Sequence, residues 1–462
     1  MIATDKVLTH LKTRHESILA ELIEFTSIGS VSTDPAHDAD VKAAGAWVAG
    51  KLAAAGPIKV RTIATQKNPI VYGEWLAAPG KPTVLVYGHY DVQPPDPLNK
   101  WVTPPFTPTV RDGKLYARGV SDDKGPMLIP IKVAEAFFAA AGALPLNVKF
   151  MFEGEEEISS PSLDGFIRDH KELLAADVVI SADGAMWRVT EPSLNVSSRG
   201  LAGLEIMLTA AGKDLHSGRH GGGVANPLHA MASLIASLHD AKGKVAVAGF
   251  YKGVRELTSA ERQAIAALPF DEADYLKQIG APATFGEPGY TTLERQWTRP
   301  TLEVNGMWGG YEGPGQKTVL PSEAYAKITC RLVPDQDPAQ VVDVVSQHLK
   351  ANVPTGTRLT ITPVDHGARA AHVSADNFAL KAAGKALETV YGVPPLIVRM
   401  GGTVPICELF QTHMGLETVF FSFSTADEDF HAPNEFFRIH RLHEGLASWV
   451  HLWTILGEGK AR

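Results

Sequence analysis

Pro82-Thr83-Val84-Leu85-Val86-Tyr87-Gly88-His89-Tyr90-Asp91-Val92 begins as an apolar run and ends in an imidazole and a carboxylate. The run reads as a buried strand. In an open α/β sheet, ligands bind outside the carboxyl ends of the strands, so His89 stands where a metal ligand could stand. Asp91, two residues on, could bond the second ring nitrogen and fix its tautomer. A single His after a strand is ordinarily a packed loop residue. The pattern gains weight because it recurs three more times along the chain.

Leu146–Phe152 is a second apolar run, and it leads directly into Glu153-Gly154-Glu155-Glu156-Glu157. Four carboxylates in five residues repel one another, and a bound cation relieves that repulsion. Ala176-Asp177-Val178-Val179-Ile180-Ser181-Ala182-Asp183 is a third strand followed by an acid. Glu417–Phe423 is the fourth, with His431-Ala432-Pro433-Asn434-Glu435 after a polar loop. Between the first two, Arg111-Asp112-Gly113-Lys114 reads as a hairpin turn. Gly119-Val120-Ser121-Asp122-Asp123-Lys124-Gly125-Pro126 then opens a helix over Met127–Ala141, with Pro at a favoured first-turn position. Asp122 and Asp123 sit at that helix start, where capping alone would also place carboxylates.

The rest of the chain sets the frame. With 462 residues and a net charge of −8, it has ample material for two or three domains and no basic run suited to nucleic acid or an anionic membrane. The two cysteines, Cys330 and Cys407, fit a reducing compartment, and the charged segment Met1–Glu24 lacks the apolar core of a signal peptide. The expectation is a cytoplasmic protein with no membrane partner. Helices are expected over Asp5–Phe25, Asp38–Ala55 and His440–Leu456, and the Pro-rich loop Pro94–Pro108 is long enough to be functional. Strand Leu201–Thr209, helix Asn226–His239, strand Ala324–Val333, helix Pro338–Ala351 and strand Arg358–Val364 form an α+β pattern of their own. The fold class is therefore α/β: a mostly parallel-sheet catalytic domain over 1–197 and 366–462, with an inserted α+β domain over 198–365. The Gly-rich Gly313-Pro314-Gly315-Gln316-Lys317-Thr318 lacks P-loop spacing and is not a phosphate site.

The strand-end polar residues are His89, Asp91, Asp122, Glu156, Glu157, Asp183 and His431. Two His and several carboxylates suit two divalent metal ions, Zn²⁺ first and Mn²⁺ or Co²⁺ next. Such a pair needs one bridging carboxylate and acidifies a shared water, whose proton a free carboxylate can take. Five ligands and one base use up the set and leave Asp91 as an orienting group.

These residues resemble a family. Gly88-His89-Tyr90-Asp91-Val92-Gln93-Pro94, Gly119-Val120-Ser121-Asp122-Asp123-Lys124-Gly125, Glu153-Gly154-Glu155-Glu156-Glu157, Lys213-Asp214-Leu215-His216-Ser217-Gly218 and Arg331-Leu332-Val333-Pro334 are similar to the motifs of the zinc-dependent aminoacylase, carboxypeptidase and dipeptidase superfamily. The similarity is above all to the cytosolic non-specific dipeptidase and carnosinase branch. The resemblance covers nearly the whole chain. It implies that His89, Asp183 and a bridging Asp122 hold one metal, and that Asp122, Glu157 and His431 hold the other. It also implies Glu156 as general base, Asp91 behind His89 and a cis peptide at Asp122–Asp123. The inserted domain would be a lid and homodimer interface. From it His216 would reach the partner subunit's site to stabilise the oxyanion, Arg331 would bind the substrate's carboxylate, and Thr318, Thr403 and His366 would contact substrate. One departure is Arg399-Met400-Gly401-Gly402, where the branch commonly has Glu in place of Met400. A second is the Gly184 that follows Asp183, where Tyr is common. The reading is a binuclear metallohydrolase of amide bonds beside a free carboxylate, a dipeptidase first. The loss of the acid at Met400 keeps an N-acyl-amino-acid deacylase open, and a metal-holding binding protein without turnover is the remote alternative.

Overall fold

The computed structural model describes residues 2–364, 367–399, 401–402 and 405–461. Two units divide the chain: Met1–Val196 with Val373–Val398 and Pro405–Arg462, and Ser197–His372 with Arg399–Val404.

In the first unit a six-stranded sheet runs in the spatial order Lys59–Ile63, Ile70–Trp75, Asn147–Glu153, Thr83–His89, Val178–Ser181, Thr418–Phe420. The last four strands are mutually parallel, and the first two are antiparallel additions at one edge. Parallel strands covered on both faces read as continuous apolar runs, and Asn147–Glu153 is buried at every position. Helices Asp38–Ala55, Gly125–Ala141 and Ile439–Gly457 supply the cover, and their apolar faces share one core with the sheet. Trp449 and Trp453, both fully buried, meet edge to face at 5.9 Å. The N-terminal segment makes two helices, Ile2–Lys12 and His15–Thr26, where one continuous helix was expected. The break coincides with Thr13, whose hydroxyl bonds the His10 carbonyl (2.7 Å), a local bond that competes with helix continuation.

A small antiparallel sheet joins Thr109–Arg111, Lys114–Tyr116 and Phe436–Arg438. Its hairpin turns through Asp112 (φ 49°) and Gly113 (φ 72°), the left-handed pair that a two-residue turn of this kind needs. This sheet ties the chain before Asp122 to the chain after His431.

The second unit carries a four-stranded antiparallel sheet, ordered Thr301–Trp308, Glu323–Leu332, Gly200–Thr209, Arg358–Pro363. Helices Pro227–Ala236 and Pro338–Ala351 are capped by Asn226 and Asp337 and pack on one face, over Ala324, Ala326, Ile328, Cys330 and Leu332. Strand Thr301–Trp308 was not anticipated. It lies at the sheet edge with much of its length exposed, so it shows neither strict alternation nor an apolar run. The unit also extends past residue 365: Ala368 exchanges backbone bonds with Leu201 (2.8 and 2.9 Å), and Ser197 bridges to His372. Among the described residues no helix is long and apolar enough to cross a membrane.

Candidate metal centre

The strand ends of the first unit converge. His89, fully buried, has its Nδ1 3.1 Å from the Asp91 main-chain oxygen and 3.5 Å from the Asp91 carboxylate. That leaves Nε2 aimed at Asp122 Oδ1, 3.0 Å away. The other oxygen of Asp122 lies 3.1 Å from His431 Nε2, which is 3.4 Å from Glu157 Oε2. Among the described residues two groups of potential ligand atoms result, each with all atoms within 4.8 Å of one another: His89, Asp122 and Asp183, and Asp122, Glu157 and His431. Asp122 belongs to both. Glu156 belongs to neither.

Local structure explains the aim of each side chain. The Asp91 carboxylate accepts from the backbone N–H of Glu156 (3.2 Å) and of Glu157 (3.1 Å), so one residue backs His89 and seats the acidic loop. Gln93 donates to Glu157 Oε2 at 2.8 Å. Its place in the motif after Asp91 was visible in the sequence, but its role was not, because the bond spans 64 residues. His431 holds a left-handed backbone (φ 58°), as do Asp429 and Asn434. Non-glycine residues persist there only where surroundings enforce it, commonly at functional sites. The peptide between Asp122 and Asp123 is cis.

The electrostatics favour a cation. Burial pushes Glu157 up to about 7 and Asp183 up to about 6, and the Asp122 charge adds to both. Glu156 is driven well above the carboxylate range by burial and by the charges of Asp183, Glu157 and Asp122. Asp122 goes the other way: against its own burial, hydrogen bonds from His431 and His89 hold it low. His431 is lifted to about 10 by Asp122 and Glu157. A cluster of acids that must otherwise hold protons, interleaved with two imidazoles whose Nε2 atoms face carboxylates, is a donor set suited to divalent metal.

A family model, Peptidase family M20/M25/M40, matches residues 85–454. The chain belongs to this family. It is 32% identical to the Beta-Ala-His dipeptidase of Rattus norvegicus over 371 residues, which is 79% of this chain and 75% of that protein. It is 32% identical to the Cys-Gly metallodipeptidase of Candida albicans over 388 residues, 82% of this chain and 79% of that one. Among solved structures, human carnosine dipeptidase 1 superposes with a TM-score of 0.82 at 28% identity, covering 98% of this chain and 99% of that chain. An M20 family metallo-carboxypeptidase from Sulfolobus solfataricus gives 0.83 at 31% identity, covering 96% and 99%. The protein is a dipeptidase-like metallopeptidase of the M20 family with an α/β fold.

Of the other expected site residues of this M20 protein, His216, Thr318 and Arg331 lie in the second unit. His216 pairs with Val319 in a two-residue ladder, and Ser217 N–H donates to the Thr318 carbonyl, so His216 and Thr318 are neighbours. His216 is exposed, and its Nδ1 accepts from Gly218 N–H at 3.0 Å, which leaves the proton on Nε2. Arg331 lies on strand Glu323–Leu332, on the sheet face away from Cys330 and the core. His366, Thr403 and Met400 lie outside the described residues.

Proposed function

We propose that this protein is a binuclear metal-dependent dipeptidase that cleaves the amide bond next to a free carboxylate. One observation carries the reading: two candidate ligand groups share Asp122, and Glu156, outside both, feels the charges of His89, Asp183, Glu157 and Asp122. His89, Asp122 and Asp183 would hold one ion, and Asp122, Glu157 and His431 the other, with Zn²⁺ first and Mn²⁺ or Co²⁺ next. Such ions polarise a carbonyl and acidify water. Glu156, already inclined to hold a proton by burial, takes one from the attacking water and delivers it to the leaving amine. The substrate's terminal carboxylate binds Arg331, where a planar guanidinium offers two parallel donors. Nε2–H of His216, supplied by a second copy of the chain, donates to the oxyanion.

A homodimer is part of the proposal. Its support is the edge strand Thr301–Trp308, which leaves Met307 and Trp308 exposed. The inserted domain (198–365 in the sequence reading) acts as the lid on the catalytic domain. Free buried Cys330 and Cys407 suit the cytoplasm, where we place the protein.

The test uses protein stripped by a chelator and resupplied with Zn²⁺ or Mn²⁺, assayed on a free dipeptide and on its N-acetylated counterpart. The expected result is metal-dependent cleavage that prefers the free dipeptide. Preference for the acetylated substrate makes the protein a deacylase, with Met400 in place of an acid as the reason. Cleavage that survives chelation overturns the mechanism.

A further inference from the structure

Glu435 lies four residues past His431 and is fully buried. Both of its oxygens are fully engaged. Oε2 accepts from Arg118 Nη1 (2.6 Å) and Gly119 N–H (2.8 Å), and Oε1 accepts from Ser121 N–H (2.9 Å) and Asp122 N–H (3.1 Å). One carboxylate therefore holds the turn that presents Asp122, and it does so from the loop that presents His431. Arg118, 1% exposed, completes the tie. Its Nη2 donates to the Ala432 carbonyl (3.1 Å) and reaches Pro94 (3.4 Å), and its guanidinium lies 5.5 Å from the Trp101 ring. Asn434 fastens the same Pro-rich loop, donating to Lys100 (2.9 Å) and accepting from Val102 N–H (2.8 Å).

We propose that Glu435 is a positioning residue for the metal centre: with Arg118 as its counter-ion, it sets Asp122 and His431 in one geometry before any cation binds. The proposal rests on the two-metal reading above. The chemistry is specific to a carboxylate. Each oxygen meets two donors, so an amide of the same shape must turn its NH₂ group against donors whichever way it sits. The ion pair is buried, so loss of either partner leaves an uncompensated charge beside the turn. Groups that orient metal ligands in this way typically tune affinity by about 10–100-fold.

The experiment compares full-length parent and Glu435→Gln for Zn²⁺ affinity by competition with a chelating dye. It adds Tm with and without Zn²⁺, and kcat and KM on a dipeptide. The expected result is Zn²⁺ affinity lowered about 10–100-fold, a smaller Zn²⁺-induced rise in Tm, lower kcat at an unchanged KM, and partial rescue by excess Zn²⁺. A purely structural role would lower the Tm of the metal-free protein and leave Zn²⁺ affinity at the parental value, which overturns the proposal. Arg118→Lys keeps the charge and removes the bonds to Ala432 and Pro94. It is read by the same criterion and decides the matter if Glu435→Gln does not fold. If the parent takes up no metal, the two-metal reading fails and this proposal with it. If the parent binds Zn²⁺ and the variants match it, this proposal fails alone.

Discussion

The two largest sheets of the molecule meet opposite conditions. In the first unit Thr83–His89 is buried from Val84 onward and Asn147–Glu153 throughout. In the second, Glu323–Leu332 alternates, with Ala324, Ala326, Ile328, Cys330 and Leu332 inward, and Tyr325, Lys327, Thr329 and Arg331 on the other face. A strand buried on both faces can offer polar chemistry only where it ends, and there the carboxylates and His89 gather. A strand covered on one face can offer it along its length, as Arg331 does. In the proposed mechanism the difference separates two kinds of residue: crowded candidate ligands at the buried strand ends, and exposed groups such as His216 that would meet substrate.

The sharpest way to break this comparison is at the buried end. Glu156→Gln should lower kcat by about 10²–10⁴-fold while leaving the metal content intact, because Glu156 lies outside both ligand groups. Activity near the parental rate would remove the general base from the mechanism.

At the exposed end, Met307→Asp places a charge on edge strand Thr301–Trp308 without touching a core. Met307 is half exposed, and surface changes of this kind usually leave stability nearly unchanged. Light scattering should show a monomer, and kcat should fall by about 10²–10³-fold as the oxyanion donor from the second copy is lost. A monomer with full activity would show that His216 does not act between subunits.

The smallest effect concerns how the first unit is closed. His15 and His443 stack with ring centroids 3.7 Å apart, between helices His15–Thr26 and Ile439–Gly457. Burial, with the charges of His15 and His440, pulls His443 down to about 4 from 6.5. The fold thus favours the neutral ring. Its contribution is complete above 6.5 and is lost as pH falls from there through about 4. Urea unfolding across that window should show the parent losing stability faster than His443→Phe. Identical slopes would remove the pair from the acid response.

Most of the candidate ligands could be read along the chain because strand and polar residue are adjacent in sequence. Val84–Tyr87 runs into His89, Phe152 into Glu156 and Glu157, and Ile180 into Asp183. Burial dictates the apolar run, and the strand end dictates where the polar group can stand. Turn and cap chemistry is equally local, as at Asp112-Gly113, Asn226 and Asp337. Strand Thr301–Trp308 escaped because its pattern is set by a neighbour, Glu323–Leu332, and not by its own residues. The same holds for the extension of the second unit to His372, which depends on backbone pairing of Ala368 with Leu201.

What the sequence by itself determined is the set of strand-end polar residues, and through them a donor set suited to divalent metal. Tertiary structure decided how they converge, with Asp122 lying between His89 and His431. It also decided that Glu435 holds the Asp122 turn from 313 residues away. The physical reason is that a side chain's identity and its place on a strand are local properties. A carboxylate with four donors exists only once distant segments have packed and water has been excluded from between them.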